Sequence, residues 1–440
     1  MKVKFKQLND IHIIKIAGLF LILELFVAGI ILYRHGNIDV FASVSLLYLL
    51  IATVTVFVVK KYESNIKAAV SSLLLLLIGI TLQSFVQEKE YGRKFLFILA
   101  LSFAVSAMFW VLYLKIHDLW RKEILLPVLA ALTILGYAGL FVYGNNINGT
   151  NAWIIIGGFS FQVTILFKII YIYYLSLVFA VYSWSDMKKI LSTMPILAIN
   201  FCGLIAIREM GTLLVMCILY VLYCILFLRQ IKTIFVMIIA GGIVLLFGFG
   251  LCFLLSHLGI NNVVVQIADK ISNRLYIWIH PEADPFNLGY QGLKAKEAMA
   301  LGGVFGSNYK IEIPVAESDY VFPALILYMG VFVAAIVVIL YILLLVEGIK
   351  IYLYADQELE KGLVAGYTYS IFIESVLMMF GSTGFFVMTG VPMAFISDGG
   401  TAMLTNFLMI TFMLCVDSKL IQNKKRKERF YNAEDVIRKN

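Results

Sequence analysis

Residues 314–346 read PVAESDYVFPALILYMGVFVAAIVVILYILLLV. From Val321 to Val346 there is no charged side chain, and a helix of roughly 20 apolar residues already crosses the hydrocarbon core of a bilayer. This segment therefore folds in lipid rather than in water. Just ahead of it stand two carboxylates, Glu317 and Asp319, which lose solvation energy on leaving water and so call for pairing, water or chemistry. Helix capping is the bland account, since Ser318 or Asp319 before an apolar helix suits the N-cap position. The functional account is a general base, because partial desolvation raises a carboxyl pKa and lets it take a proton from a substrate hydroxyl.

The rest of the chain has the same character. Of its 440 residues 62% are hydrophobic and only 14% charged, with a mean hydropathy of +0.93, whereas soluble domains carry about 25% charged residues. Apolar runs near 12–33, 40–59, 67–87, 95–114, 123–143, 161–182, 190–207, 210–228, 233–256, 319–346, 362–385 and 398–417 predict an all-α, polytopic integral membrane protein of about 12 spans. MKVKFK and the long apolar run behind it read as a first, uncleaved span, because no small-residue cleavage site follows.

The net charge of +8 comes from short loops and from the tail QNKKRKERF rather than from a domain surface, which argues for topology and against nucleic acid. Cytoplasmic N- and C-termini put the lysine and arginine pairs at 60–61, 121–122 and 188–189 inside with the tail, and leave the large loop 257–318 extracytoplasmic. The five cysteines form no CxxC pair, so neither a disulfide nor a thiolate metal site is expected. The five histidines show no zinc-binding spacing.

Two connections are long enough to line a site. The first, YGNNINGTNAWIIIGGFSFQ at 143–162, is rich in turn-forming Gly and Asn and sets Trp153 at the outer membrane face. In the second, GYQGLKAKEAMA predicts a short helix that ends at Gly302–Gly303. Lys168, Glu209, Glu374 and Asp398 fall within or beside spans, where ionisable groups face a bundle interior or a wet cavity.

Taken in order, several stretches resemble the SEDS family of shape, elongation, division and sporulation proteins, typified by RodA, FtsW and SpoVE. NGTNAWIIIGGFSFQVTILFK keeps the family's Asn148, Gly149, Trp153, Gln162 and Lys168, with Val163 and Ile165 where its Pro and Glu stand. Glu209, Gly211 and Thr212 match an acidic residue before a Leu-Gly-Thr. Arg274, Asp284-Pro285, Gly289-Tyr290-Gln291 and Gly302, Gly303 and Gly306 follow as in the family's large outer loop. PVAESDYVF then places its essential aspartate on Asp319, and TGVPMAFISDGGT carries Asp398 for a Tyr and Thr401 for a Ser. An upstream Asn and Pro of the family appear as Met378 and Val387.

The resemblance implies a core of ten spans over 67–418, preceded by an extra N-terminal pair in 1–66 and followed by a basic cytoplasmic tail, 419–440. It implies a peptidoglycan glycosyltransferase of the bacterial cytoplasmic membrane that polymerises lipid II at the outer face, with Asp319 as the base. Lys168 and Arg274 would stand beside the pyrophosphate, and Trp153, Gln162, Tyr290, Gln291, Glu317 and Asp398 would bind substrate. Its partners would be lipid II, the nascent glycan strand and a class B penicillin-binding protein. A divalent cation, Mg or Mn, could assist, although the sequence shows no site for one. A catalytically inactive scaffold for a transpeptidase, and a flippase or transporter of a lipid-linked precursor, stay open as alternatives. With the family glutamate replaced by Ile165, Glu374 or Asp398 is expected to pair with Lys168.

Overall fold

The computed structural model describes residues 38–87, 91–116, 124–147, 149–230, 263–287, 289–309 and 311–439, and five isolated helical positions between 15 and 29. Among the described residues ten helices are long and apolar enough to cross a membrane. The expected spans at 12–33 and 233–256 fall almost wholly outside those residues, as does Asn148. The chain is an all-helical polytopic membrane protein.

Seven of these ten precede the large loop: α1 (Ile38–Lys61), α2 (Ile66–Val86), α3 (Tyr91–Ile116), α4 (Leu125–Tyr143), α5 (Val163–Ser176, extended by a π turn at Leu177–Val181), α6 (Asp186–Ala206) and α7 (Met210–Phe227). Three follow it: α10 (Val321–Tyr354), α11 (Glu358–Ser382) and α12 (Gly400–Lys439). Two thirds or more of the apolar windows of α2, α5, α11 and α12 are buried, which makes these the inner helices. On the outside, α4 leaves Leu132, Leu135 and Phe141 exposed, a surface suited to acyl chains rather than water. The tail read as a separate segment continues α12 as one helix to Lys439.

Lipid offers no hydrophobic drive to bring helices together, so close packing and interhelical hydrogen bonds must do it. Gly79 of α2 shows the packing, since a Cβ there would sit 2.2 Å from the Phe395 carbonyl oxygen. Tyr223 shows the bonding: its hydroxyl donates to the Gly362 carbonyl at 2.8 Å and meets the Ser176 hydroxyl at 2.8 Å, joining α7, α11 and α5.

The large loop holds α8 (Val263–Ile279) and α9 (Tyr290–Gly302), the latter ending at Gly303 with φ 58 as the double glycine predicts. The glycines beyond it have a structural role. Helix α10 is broken at Gly330 (φ 84, ψ 167), and a break in the membrane leaves backbone groups that need new partners. The loop supplies them: Val331 N–H donates to Gly303 O at 3.0 Å, Phe332 N–H to Val304 O at 3.1 Å, and Ser307 N–H to Leu327 O at 2.8 Å. A Cβ at Gly330 would lie 2.2 Å from Val304 O, at a φ that L residues avoid. Gly330→Ala should therefore lower the thermal unfolding midpoint in detergent, at a cost of roughly 1–3 kcal/mol. Gly292→Ala, with open space around its Cβ, should leave the midpoint in place.

The connection 143–162 departs from the loop expected of it. It forms a three-stranded antiparallel sheet, β1 (Asn145–Ile147), β2 (Thr150–Ile156) and β3 (Phe159–Gln162), with Trp153 paired to both Asn145 and Gln162. Gly157 and Gly158, at φ 58 and 83, make the tight turn between β2 and β3. The sheet leads directly into α5 and fixes Trp153 and Gln162 over the end of the bundle.

Candidate active site

Asp319 closes the turn 314–320 that delivers the chain into α10, and Val315, at φ 56, starts the bend. Ser318 and Tyr320 N–H groups both donate back to Val315 O, at 3.3 and 3.1 Å. The turn is bound to its neighbours through its backbone. Gln83 Nε2 of α2 donates to Glu317 O at 2.8 Å and to Ile396 O at 2.9 Å. Asp398 N–H donates to the same Glu317 oxygen at 2.8 Å, and Ser397 Oγ to Ser318 O at 3.0 Å. The capping account does not hold, because the N-cap of α10 is Tyr320 and no side chain bonds there. With the carbonyls engaged, the Glu317 and Asp319 side chains face a cavity.

That cavity, about 310 Å³, is lined by Trp153 and Gln162 from the sheet, Arg208 and Glu209 before α7, Arg274 of α8, and Glu317, Asp319, Asp398 and Thr401. Gln162 ties three elements together: its N–H donates to Thr401 Oγ1 at 3.0 Å and its Nε2 to Glu209 Oε1 at 2.9 Å. Asp398 accepts from Gln87 Nε2 at 3.0 Å. Burial raises the Asp398 pKa, against the lowering by Gln87, the Gly399 N–H and the charge of Lys94.

A second cavity, about 660 Å³, opens on the other side of Asp319 between α8, α9 and the loop after α11, and is lined by Arg274, Trp278, Gln291, Lys296, Asp319 and Tyr320 among others. Asp319, Arg274 and Gly390 border both cavities. Gly390 takes φ 67, and a Cβ on it would come within 3.9 Å of Asp319 Oδ2. Two hydrogen bonds dock α8 over this loop: Arg274 Nη1 donates to Met388 O at 3.3 Å and Trp278 Nε1 to Gly384 O at 2.9 Å. Desolvation raises the Asp319 pKa above the usual carboxylate range; Arg274 lowers it and Glu317 raises it further.

Of the residues singled out from the sequence, Asp319, Arg274, Trp153, Gln162, Glu317 and Asp398 meet at the first cavity, and Gln291 lines the second. Tyr290 starts α9 and borders neither. Lys168 lies elsewhere too, 3% exposed inside the bundle and paired with Glu374 of α11, which also accepts from Ser370 at 2.8 Å. The carboxylate missing at Ile165 is thus supplied from another helix. Arg208, Lys296, Gln83 and Gln87 were not selected from the sequence; RE at 208–209 and LKAKE at 293–297 were the only local signals. Among the described residues no three His, Cys, Asp or Glu side chains gather into a group that could hold a metal ion.

The FtsW/RodA/SpoVE family, described as cell cycle proteins, matches residues 68–422. The chain belongs to that family. Among its FtsW/RodA/SpoVE relatives, the probable peptidoglycan glycosyltransferase FtsW of Bacillus subtilis is 26% identical over 329 residues, covering 71% of this chain and 77% of the relative. The protein of the same name from Legionella pneumophila is 24% identical over 362 residues, covering 78% and 88%. In fold the chain resembles a structure reported under structural coordination of polymerization and crosslinking by a peptidoglycan synthase complex, with TM-score 0.63, 17% identity and coverage of 82% of this chain and 99% of that one. It also resembles a mutant of the rod shape determining protein RodA of Thermus thermophilus, with TM-score 0.53, 16% identity and coverage of 80% and 97%.

Proposed function

We propose that this FtsW/RodA/SpoVE member is a peptidoglycan glycosyltransferase that polymerises lipid II at the outer face of the bacterial cytoplasmic membrane, with both termini cytoplasmic. One observation carries the reading: Asp319 and Arg274 stand where two cavities meet. A glycosyl transfer joins two substrates, and its base belongs between them. Asp319 takes the proton of the acceptor sugar hydroxyl, the oxygen attacks the anomeric carbon of the lipid-linked strand, and the C1–O bond to pyrophosphate breaks. Undecaprenyl pyrophosphate leaves with the electron pair.

The cations for that leaving group are Arg274 and the exposed Lys296 rather than the sealed Lys168. Helices α7 and α12 begin at the first cavity, at Met210 and Gly400, and their N-terminal N–H groups favour anions. Trp153, Gln162, Glu317, Asp398 and Gln291 are the sugar- and peptide-facing groups. A class B penicillin-binding protein is the proposed partner, to be checked by co-purification.

Purified protein supplied with lipid II alone should make glycan strands; strands from another undecaprenyl-linked glycan but not from lipid II would overturn the substrate assignment. The acid limb of the pH–rate profile should lie above the usual carboxylate range, since the raised Asp319 pKa keeps the base protonated to higher pH. Arg274→Ala removes the lowering charge and should move that limb up; Glu317→Gln removes the raising charge and should move it down.

A further inference from the structure

A third cavity, about 300 Å³, lies away from the candidate active site, between α1, α2, α3 and α12. Helix α2 fixes its position: Gln83 and Gln87 at the C-terminal end reach the active-site loops, whereas Lys61, the last residue of α1, and Tyr62, just after it and shortly before the N-terminus of α2, line this cavity. The walls are apolar, with Val58, Leu76, Phe103 and Phe407 among them. The part of the wall contributed by α1 precedes residue 68, where the family match begins, so the cavity is built by a helix outside the matched region.

Two polar groups on its wall lack partners among the described residues. Ser106 is 3% exposed and its Oγ is unbonded, and one turn on, the Trp110 Nε1–H is likewise buried and unbonded. Leaving such groups unmatched in hydrocarbon is unfavourable, because each forfeits the hydrogen bond it would make in water. Near the α1–α2 connection, the Tyr62 and Trp110 ring centroids are 5.9 Å apart and Lys61 Nζ stands 5.6 Å from the centre of the Tyr62 ring. Lys60 and Lys67 are exposed at the same end. A depth-ordered row of cation, aromatic donor and hydroxyl above an apolar slot matches a phospholipid in cross-section: phosphate, ester carbonyls, acyl chain.

We propose that this cavity binds one acyl chain of an anionic phospholipid, its phosphate held by Lys60 and Lys61 and its ester region accepting hydrogen bonds from Trp110 and Ser106. The intact protein, reconstituted in phosphatidylcholine nanodiscs, is titrated with phosphatidylglycerol or phosphatidylcholine brominated on the acyl chains, and the Trp110 signal is taken as the difference between wild type and Trp110→Phe. Brominated phosphatidylglycerol should quench that signal at a mole fraction several-fold lower than brominated phosphatidylcholine. Lys60→Gln/Lys61→Gln, both changes lying on exposed side chains, should abolish the preference, and Ser106→Leu, which fills the slot, should weaken quenching by either lipid. Equal quenching by the two lipids, a preference that survives loss of both lysines, or a Trp110 shielded from both lipids because protein fills the cavity, would each overturn the proposal.

Discussion

Asp319→Asn should reduce the initial rate of lipid II polymerisation by about 10²–10⁴-fold, the usual contribution of a positioned general base, while leaving the protein folded and able to bind substrate. Folding should survive because the described bonds that hold the turn run through backbone atoms: Gln83 and Asp398 to Glu317 O, Ser397 to Ser318 O, and the amides of Ser318 and Tyr320 to Val315 O. An amide of nearly equal size fits the same space between Arg274, Glu317 and Gly390 but does not accept a proton at the working pH. The measurement is glycan chain growth by the purified variant, with the unfolding midpoint as control. Unchanged growth would remove Asp319 from the mechanism, and with it the reason for placing two substrates on either side of it.

The second large effect concerns stability. Lys168 and Glu374 are 3% and 4% exposed and pair within the bundle, with Ser370 giving Glu374 a further hydrogen bond at 2.8 Å. Removing one member strands the other charge where water does not reach, a loss of roughly 3–5 kcal/mol. Lys168→Met and Glu374→Leu should therefore each depress the unfolding midpoint sharply. The double variant should regain most of it, because an apolar pair of similar volume avoids the desolvation cost altogether. Two single losses that simply add in the double variant would show that the pair is not coupled. Recovery of stability with polymerisation intact would show that Lys168 serves the fold rather than the leaving group.

Much of this was legible in the sequence. Apolar runs give the helices because in lipid each span must satisfy its own backbone, and a double glycine after LKAKEAMAL marks the end of α9. The aspartate before a 26-residue uncharged stretch, Val321 to Val346, stood out for the same reason. What was hidden depends on contacts between distant parts of the chain. Helix periodicity says that Lys168 lies in a span but not that it turns toward Glu374, 206 positions away. Gln83 and Gln87 look like ordinary polar ends of a helix until the loops 314–320 and 393–398 arrive against them. The sheet at 145–162 left a local trace, Gly157-Gly158 between two apolar runs, a hairpin signal. Its composition, however, also suits a glycine-rich loop at the membrane surface.

The broken helix α10 also bears on how such a protein could be controlled. The hydrogen bonds that Gly303, Val304 and Ser307 make with residues around the break at Gly330 clamp the large loop onto the same helix that follows Asp319, which lies eleven residues before the break. A binding partner that grips the loop therefore also holds the helix that follows the Asp319 turn. A pull on the loop would reach the Asp319 turn through backbone hydrogen bonds and one continuous stretch of helix, not through the side chains that line the two cavities.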